Sequence, residues 1–202
     1  MRRVIAQFFR GASTPSNVLD VLHNAKMMIQ IDIPTQQLTL VDDNGHVVKQ
    51  YAVSSAKNGV GERNGSFCTP RGRHIVRAKI GTGQPIGTVF VRRRPTGEIW
   101  DSALHEKFPG RDWILTRILW LSGREPGFNR LGQVDTMRRF IYIHGAHDLA
   151  EMGHPGSIGC IRMRNTDIVD LFDQPLELIH DGLRRARRII DRPPWAEVKA
   201  RN

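Results

Sequence analysis

A period of two, broken often by turn residues, constrains this chain more than any other feature. MIQIDI (28–33) and QLTLV (37–41) alternate apolar and polar side chains, with Pro34 and Thr35 between them. That pattern predicts a hairpin of half-buried strands, because successive side chains of a strand point to opposite faces. Asp43-Asn44-Gly45 is a turn signal, and HVVKQYAV (46–53) follows as a third strand. Residues 54–66 are rich in Gly, Ser and Asn and predict a loop, and T-P-R-G-R (69–73) predicts a turn. HIVRAKI (74–80), GTVFVRR (87–93) and the end of RRFIYIHG (138–145) predict further strands.

Helical signals are fewer. Ser16 is placed to cap a short helix over 17–25, and NTDIVDLFDQ (165–174) predicts a helix capped by Asn165. DGLRRARRIID (181–191) predicts a basic C-terminal helix, stopped by Pro193 and Pro194 after a last strand at 175–179. Residues 101–137 alternate poorly, and ILTRILWL (114–121) fits strand and helix equally. Many short strands with scattered turns point to a mainly β chain, a sandwich or barrel carrying a few helices.

Composition removes several classes. With 202 residues, 40% hydrophobic and 25% charged, the chain builds one ordinary core and is neither collagenous nor disordered. Two cysteines exclude a disulfide scaffold. No window approaches the roughly 20 apolar residues of a membrane span. At the start, the apolar stretch 4–9 is six residues long and contains Gln7, below the about 7–15 residues of a secretory core. With Met1 as the start, that predicts a cytoplasmic protein. The net charge of +10 includes Arg92–Arg94 and the run at Arg184, Arg185, Arg187 and Arg188. No nucleic-acid motif accompanies these arginines, so they predict a basic surface, or a field that concentrates an anionic small substrate, and no nucleic-acid partner.

The densest chemistry lies in IYIHGAHDLAEMGHPGSIGCIRM (141–163), with His144, His147, His154 and Cys160. A metal site is one reading, but these spacings match no common zinc pattern. The other is a cysteine nucleophile whose thiol is activated by a nearby imidazole. Gly159 beside Cys160 allows close backbone approach, and main-chain N–H groups there can cradle an oxyanion. Arg162 falls on the same side as Cys160 if 160–163 is extended, and Tyr142 shares a strand face with His144.

His144-Gly145 followed by S-x-G-C-I-R-M (157–163) resembles the signature of the YkuD family, the L,D-transpeptidase catalytic domain. The sixteen-position step from His144 to Cys160 is similar to that family's spacing, T-P-R-G (69–72) resembles its upstream turn, and Asn165 and Asp167 resemble its N-x-D. The likeness covers about residues 27–180, leaving 1–26 as an extension and 181–202 as a basic helix and tail. Ile158 departs from the His or Lys usual at its position. The stretch 92–137, with Trp100, Trp113, Trp120 and Phe128, has the length of a lid inserted over the site.

The resemblance implies a YkuD-like β-sandwich and cysteine acyl transfer on peptidoglycan stem peptides, with no cofactor and no metal. Cys160 would attack the diaminopimelate carbonyl, and His144 would act as base and acid, oriented by the Gly145 carbonyl. Gly159 and Cys160 would supply the oxyanion hole. Arg162, Ser157, Tyr142, Ile158 and His154 would contact substrate or shape the loop. Arg162 would either bind a substrate carboxylate or brace the loop, and His154 is the alternative imidazole. Cys68 would be a structural thiol. With water as acceptor the enzyme would be a cytoplasmic L,D-carboxypeptidase that takes tetrapeptide or muropeptide and releases D-alanine. The alternatives are a periplasmic cross-linking transpeptidase and a non-catalytic basic adaptor. Oligomeric state has no signature in the chain.

Overall fold

The structure is a computed structural model and describes residues 27–176. The helix expected over 17–25, most of the strand over 175–179, and the C-terminal helix and tail lie outside the described residues. Three strands, β1 (Met28–Asp32), β2 (Gln37–Val41) and β3 (Val47–Ala52), form an antiparallel meander in that order. The second sheet contains β4 (His74–Ile80), β5 (Thr88–Val91), β6 (Arg94–Ile99), β7 (Leu115–Gly123), β8 (Tyr142–Ala146) and β9 (Ile161–Arg164). Its order is β6-β5-β7-β8-β9, and β4 also pairs with β7. All its pairings are antiparallel except β8 with β9. Two helices complete the described fold, α1 (Ser102–Lys107) and α2 (Asn165–Phe172).

Alternation decides which side chain goes where. Leu38 and Leu40 of β2 meet Leu119 and Leu121 of β7, Ile143 of β8, and Ile161 and Met163 of β9 in one cluster. α2 adds Ile168, Leu171 and Phe172 to it, so the sandwich core lies between the two sheets and is closed by the helix. The intervening residues point to the other face of the larger sheet, where Ile118 and Tyr142 pack with Phe90 and are joined by Cys160. That outer face carries the site.

Two sequence expectations need correction. The stretch 92–137 is not an inserted lid as a whole, because 115–123 is β7, the strand on which β4, β5 and β8 all pair. A strand buried on both faces shows an apolar run instead of alternation, which is why 114–121 was ambiguous. Within the same stretch 94–99 is β6, an edge strand of that sheet. Asn165 is not a cap: Arg164 occupies that position without a side-chain cap bond, and Asn165 Oδ1 instead accepts from Thr116 Oγ1 at 2.5 Å.

α2 is tied to the small sheet by Asp170, which accepts from Lys49 Nζ at 2.5 Å and from Tyr51 Oη at 2.8 Å. The Lys49 hydrogen bond leads in holding the Asp170 carboxyl below its usual range. A carboxylate with a depressed folded pKa adds stability above its unfolded value of about 3.9, and that stability is lost as pH falls through the folded value. Lys49 and Asp170 are both partly exposed, so screening limits the effect. Asp170→Asn should therefore cost up to about 1 kcal/mol in urea unfolding at pH 7. The difference from the parent should shrink as pH drops below about 4.

Candidate active site

The parallel pairing of β8 with β9 sets His144 opposite Arg162 and Ile143 opposite Ile161. Continued one step back, that register sets Cys160 opposite Tyr142, and the Tyr142 N–H does contact Cys160 Sγ at 3.4 Å. Cys160 and His144 therefore share a face, two residues along and one strand across. At roughly 3.3 Å per residue and 4.8 Å between strands, their Cα atoms are about 8 Å apart, within reach of a thiol and an imidazole turned toward each other.

His144 is fully buried, and its Nδ1 lies 2.8 Å from the Gly145 carbonyl. A carbonyl only accepts, so Nδ1 carries the proton and Nε2 holds the lone pair. Nε2 has no hydrogen-bond partner among the described residues. Burial pulls the imidazole below its ordinary pKa, against the opposing effects of Asp112 and the Gly145 carbonyl. Burial likewise pushes the Cys160 thiol up to about 12, with Asp112 adding to the rise. The Tyr142 N–H, Arg162 and Arg139 act against it. Burial thus favours the neutral form of both thiol and imidazole.

Gly145 must be glycine. A Cβ there would lie 2.5 Å from Asn165 Oδ1 and 2.8 Å from the Leu115 carbonyl. Asn165 is held against it by Thr116, which has a left-handed φ of 67° at a bulge in β7 and whose Oγ1 also accepts from the Gly87 N–H. The family-like Asn165 thus packs the His144-Gly145 step in place.

The other predicted residues are placed as follows. Ser157 Oγ donates to the Cys160 carbonyl at 2.5 Å and accepts from the Gly159 N–H at 3.2 Å, so it shapes the nucleophile turn. This corrects one expectation: the Gly159 N–H is committed to Ser157 and is not free for an oxyanion. Cys160's own N–H stays a candidate, and the Tyr142 N–H at the sulfur is a donor that sequence reasoning missed. Gly159 adopts φ 137°, which leaves little room for any other residue. Its carbonyl accepts from buried Thr69 Oγ1 at 3.0 Å, which explains why a T-P-R-G turn distant in sequence belongs to the site.

Arg162 braces the loop: Nη1 donates to the Gly156 carbonyl at 3.0 Å and Nη2 pairs with Asp112 at 2.7 Å. Asp112 was missed because it lies in an irregular stretch fifty positions away, with no local signal. Tyr142 shares the His144 face as expected, but it is buried, and its hydroxyl accepts from Arg93 Nη1 at 2.9 Å. Ile158 is exposed. His154 lines a cavity of about 270 Å³ with Ser54, Lys57, His147 and Arg162. His147 stacks on Trp100 at 5.7 Å and lies 5.0 Å from the His105 ring. Both cysteines are free, and Cys68 Sγ donates to the Asn58 carbonyl at 3.3 Å. Among the described residues no group of three or more His, Cys, Asp or Glu is arranged to hold a metal, and no helix is long and apolar enough to cross a membrane.

A thiol and an oriented imidazole on one sheet face, with a main-chain N–H at the sulfur, are the parts of a cysteine acyl-transfer centre. The chain belongs to the YkuD family, the L,D-transpeptidase catalytic domain, whose family model matches residues 26–182. Three of the solved structures to which the chain is similar are the following. One is an L,D-transpeptidase (residues 123-326) from Xylanimonas cellulosilytica, at 22% identity and TM-score 0.39, over 74% of this chain and 54% of that one. Another is an L,D-transpeptidase from Mycobacterium smegmatis, at 18% identity and TM-score 0.41, over 77% of this chain and 59% of that one. A third, Bd1075 from Bdellovibrio bacteriovorus, matches at 14% identity and TM-score 0.45, over 80% of this chain and 47% of that one. The chain thus spans about half the length of the solved chains it matches. No curated protein matches it.

Two substitutions probe this geometry. Gly145→Ala should displace the His144 step and lower thermal stability along with any thiol-dependent activity, by about 1–3 kcal/mol in unfolding. Asp112→Asn removes an anion that raises the thiol and releases Arg162, which lowers it. Iodoacetamide should then alkylate Cys160 several-fold faster at pH 8, as read by peptide mass spectrometry.

Proposed function

We propose that the protein is a cysteine peptidase of peptidoglycan stem peptides, an L,D-carboxypeptidase that removes the terminal D-alanine of a tetrapeptide. The observation that carries this reading is the buried His144, fixed through Nδ1 on the Gly145 carbonyl and unpartnered at Nε2, on the same face as the Cys160 thiol. In the first half-reaction the thiol proton passes to His144 Nε2 as sulfur attacks the diaminopimelate carbonyl. The oxyanion is met by main-chain N–H groups, with those of Cys160 and Tyr142 as the candidates. The imidazolium then protonates the departing D-alanine nitrogen, the C–N bond breaks, and a thioester remains. In the second half-reaction His144 takes a proton from water, whose oxygen attacks the thioester, and the thiol is restored on release of tripeptide. Neutral thiol and neutral imidazole are the protonation states this sequence starts from.

Aromatic groups flank β8 at both ends. Arg93, Trp120 and Phe140 stack beside Tyr142 at one end of β8, and Trp100, His105 and His147 stack beyond its other end. Water as acceptor suits a cytoplasmic enzyme of muropeptide recycling, whereas an amine acceptor would make the same acyl-enzyme a periplasmic cross-linking transpeptidase.

Purified protein mixed with disaccharide-tetrapeptide should release one D-alanine per peptide, read by mass spectrometry, with no dimer. Cys160→Ala should lose roughly 10⁴-fold or more in kcat. Cross-linked dimer would make the protein a transpeptidase, and absence of both products would overturn the assignment to stem peptides.

A further inference from the structure

Arg162 and Arg139 both act on the Cys160 thiol, and both are engaged by protein acceptors, while a third arginine, Arg93, bonds to Tyr142 beside that thiol. Arg162 holds Asp112 and the Gly156 carbonyl. Arg139 donates to the carbonyls of Gly61, Glu62 and Cys68 and to Ser66 Oγ, tying the 61–68 loop down. Arg93 differs. Its one hydrogen bond among the described residues goes from Nη1 to the Tyr142 hydroxyl. Among the described residues it forms no salt bridge with a carboxylate, although a guanidinium offers five donors. Its flat face lies 4.4 Å from the Trp120 ring centre and 5.1 Å from that of Phe140.

The chain adopts an unfavourable backbone to put Arg93 there. Val91 pairs with Arg94, so Arg92 and Arg93 alone make the turn between β5 and β6. Both have left-handed φ, 49° and 66°, a conformation that such turns usually fill with Asn-Gly. Non-glycine residues in that region cluster at functional sites. The platform beneath Arg93 is the wall of the active site: the Phe140 carbonyl lies 3.6 Å from Cys160 Sγ, and the Tyr142 N–H contacts the same sulfur. A guanidinium that is weakly hydrated, set over aromatic rings and without an acidic partner among the described residues is suited to grip a carboxylate with two parallel N–H bonds.

We propose that Arg93 binds a carboxylate of the acyl-donor peptide and so sets substrate specificity, the role that Arg162, already paired with Asp112, does not fill. This rests on the stem-peptide reading above. Two groups flanking the scissile bond of that substrate have the required chemistry, the terminal carboxylate of D-alanine and the side-chain carboxylate of diaminopimelate.

The test compares free tetrapeptide with two peptides amidated singly at those carboxylates, using the parent enzyme, Arg93→Gln and Arg93→Lys. Arg93→Gln should lower kcat/KM on free tetrapeptide by roughly ten- to a hundredfold, mainly through KM. Amidating the carboxylate that Arg93 reads should cost the parent the same factor and cost Arg93→Gln nothing more, and which amide does so identifies the group. Arg93→Lys should recover part of the loss, since charge remains while the fork and the stacking do not. An equal loss on all three peptides, or no loss on any, would overturn the inference. If the parent turns over none of them, the stem-peptide reading fails by itself. Arg93 is then tested by alkylating Cys160 with iodoacetate and with iodoacetamide: Arg93→Gln should reduce the preference for the anionic reagent several-fold, and an unchanged ratio would overturn the proposal.

Discussion

The parallel pairing of β8 and β9 is the contact on which the site depends. It places Cys160 and His144 on one face and makes the sequence between them a crossover. Adjacent parallel strands cannot be joined by a tight turn and need a connection of a dozen or more residues. The sixteen-position step between base and nucleophile meets that requirement. The crossover has no regular structure of its own, so its backbone groups are satisfied by neighbours. The N–H groups of Gly156 and Ser157 donate to the Ser55 carbonyl, that of Gly153 to Val53, and that of Lys57 to Ser157. The loop after β3 is therefore the support for the nucleophile loop, and Thr69 extends that support to Gly159.

Electrostatics in the site follow from burial more than from any one charge. Desolvation is the leading influence on both Cys160 and His144, and it favours the neutral form of each. Asp112 strengthens the neutral thiol and opposes the neutral imidazole, while Arg162 does the reverse. Because Asp112 and Arg162 are bonded to each other at 2.7 Å, their fields largely cancel at the site. Reactivity then rests on where His144 Nε2 stands relative to the thiol, and so on the packing of Gly145 against Asn165 and Thr116.

Backbone in unusual conformations gathers at this same place. Thr116 at its bulge, Arg92 and Arg93 at their turn, Phe140 before β8, and Gly159 before the nucleophile all have positive φ. Each holds something in or beside the site: Asn165 against Gly145, the guanidinium on Tyr142 and Trp120, the carbonyl at Cys160 Sγ, and the thiol itself. Such conformations persist only where surrounding hydrogen bonds and packing impose them. Thr116 is fixed by Gly87 and Asn165, and Arg93 by Tyr142 and two aromatic rings.

Alternation and turn chemistry were local signals, so the meander β1–β3, the strands β4, β5 and β8, and helix α2 were legible in the sequence by itself. The motif around Cys160 was legible too, because nucleophile, turn-shaping Ser157 and following strand are contiguous. β7 was not: a strand buried on both sides loses the alternation that marks a strand. Asp112 and Arg93 were not, because their significance is a matter of which charges meet. Residue types in a chain say that arginines and an aspartate exist, but pairing depends on distance in three dimensions. Only the folded sheet put Asp112 on Arg162, committed the Gly159 N–H to Ser157, and left Arg93 on Tyr142 and two aromatic rings without an acidic partner among the described residues.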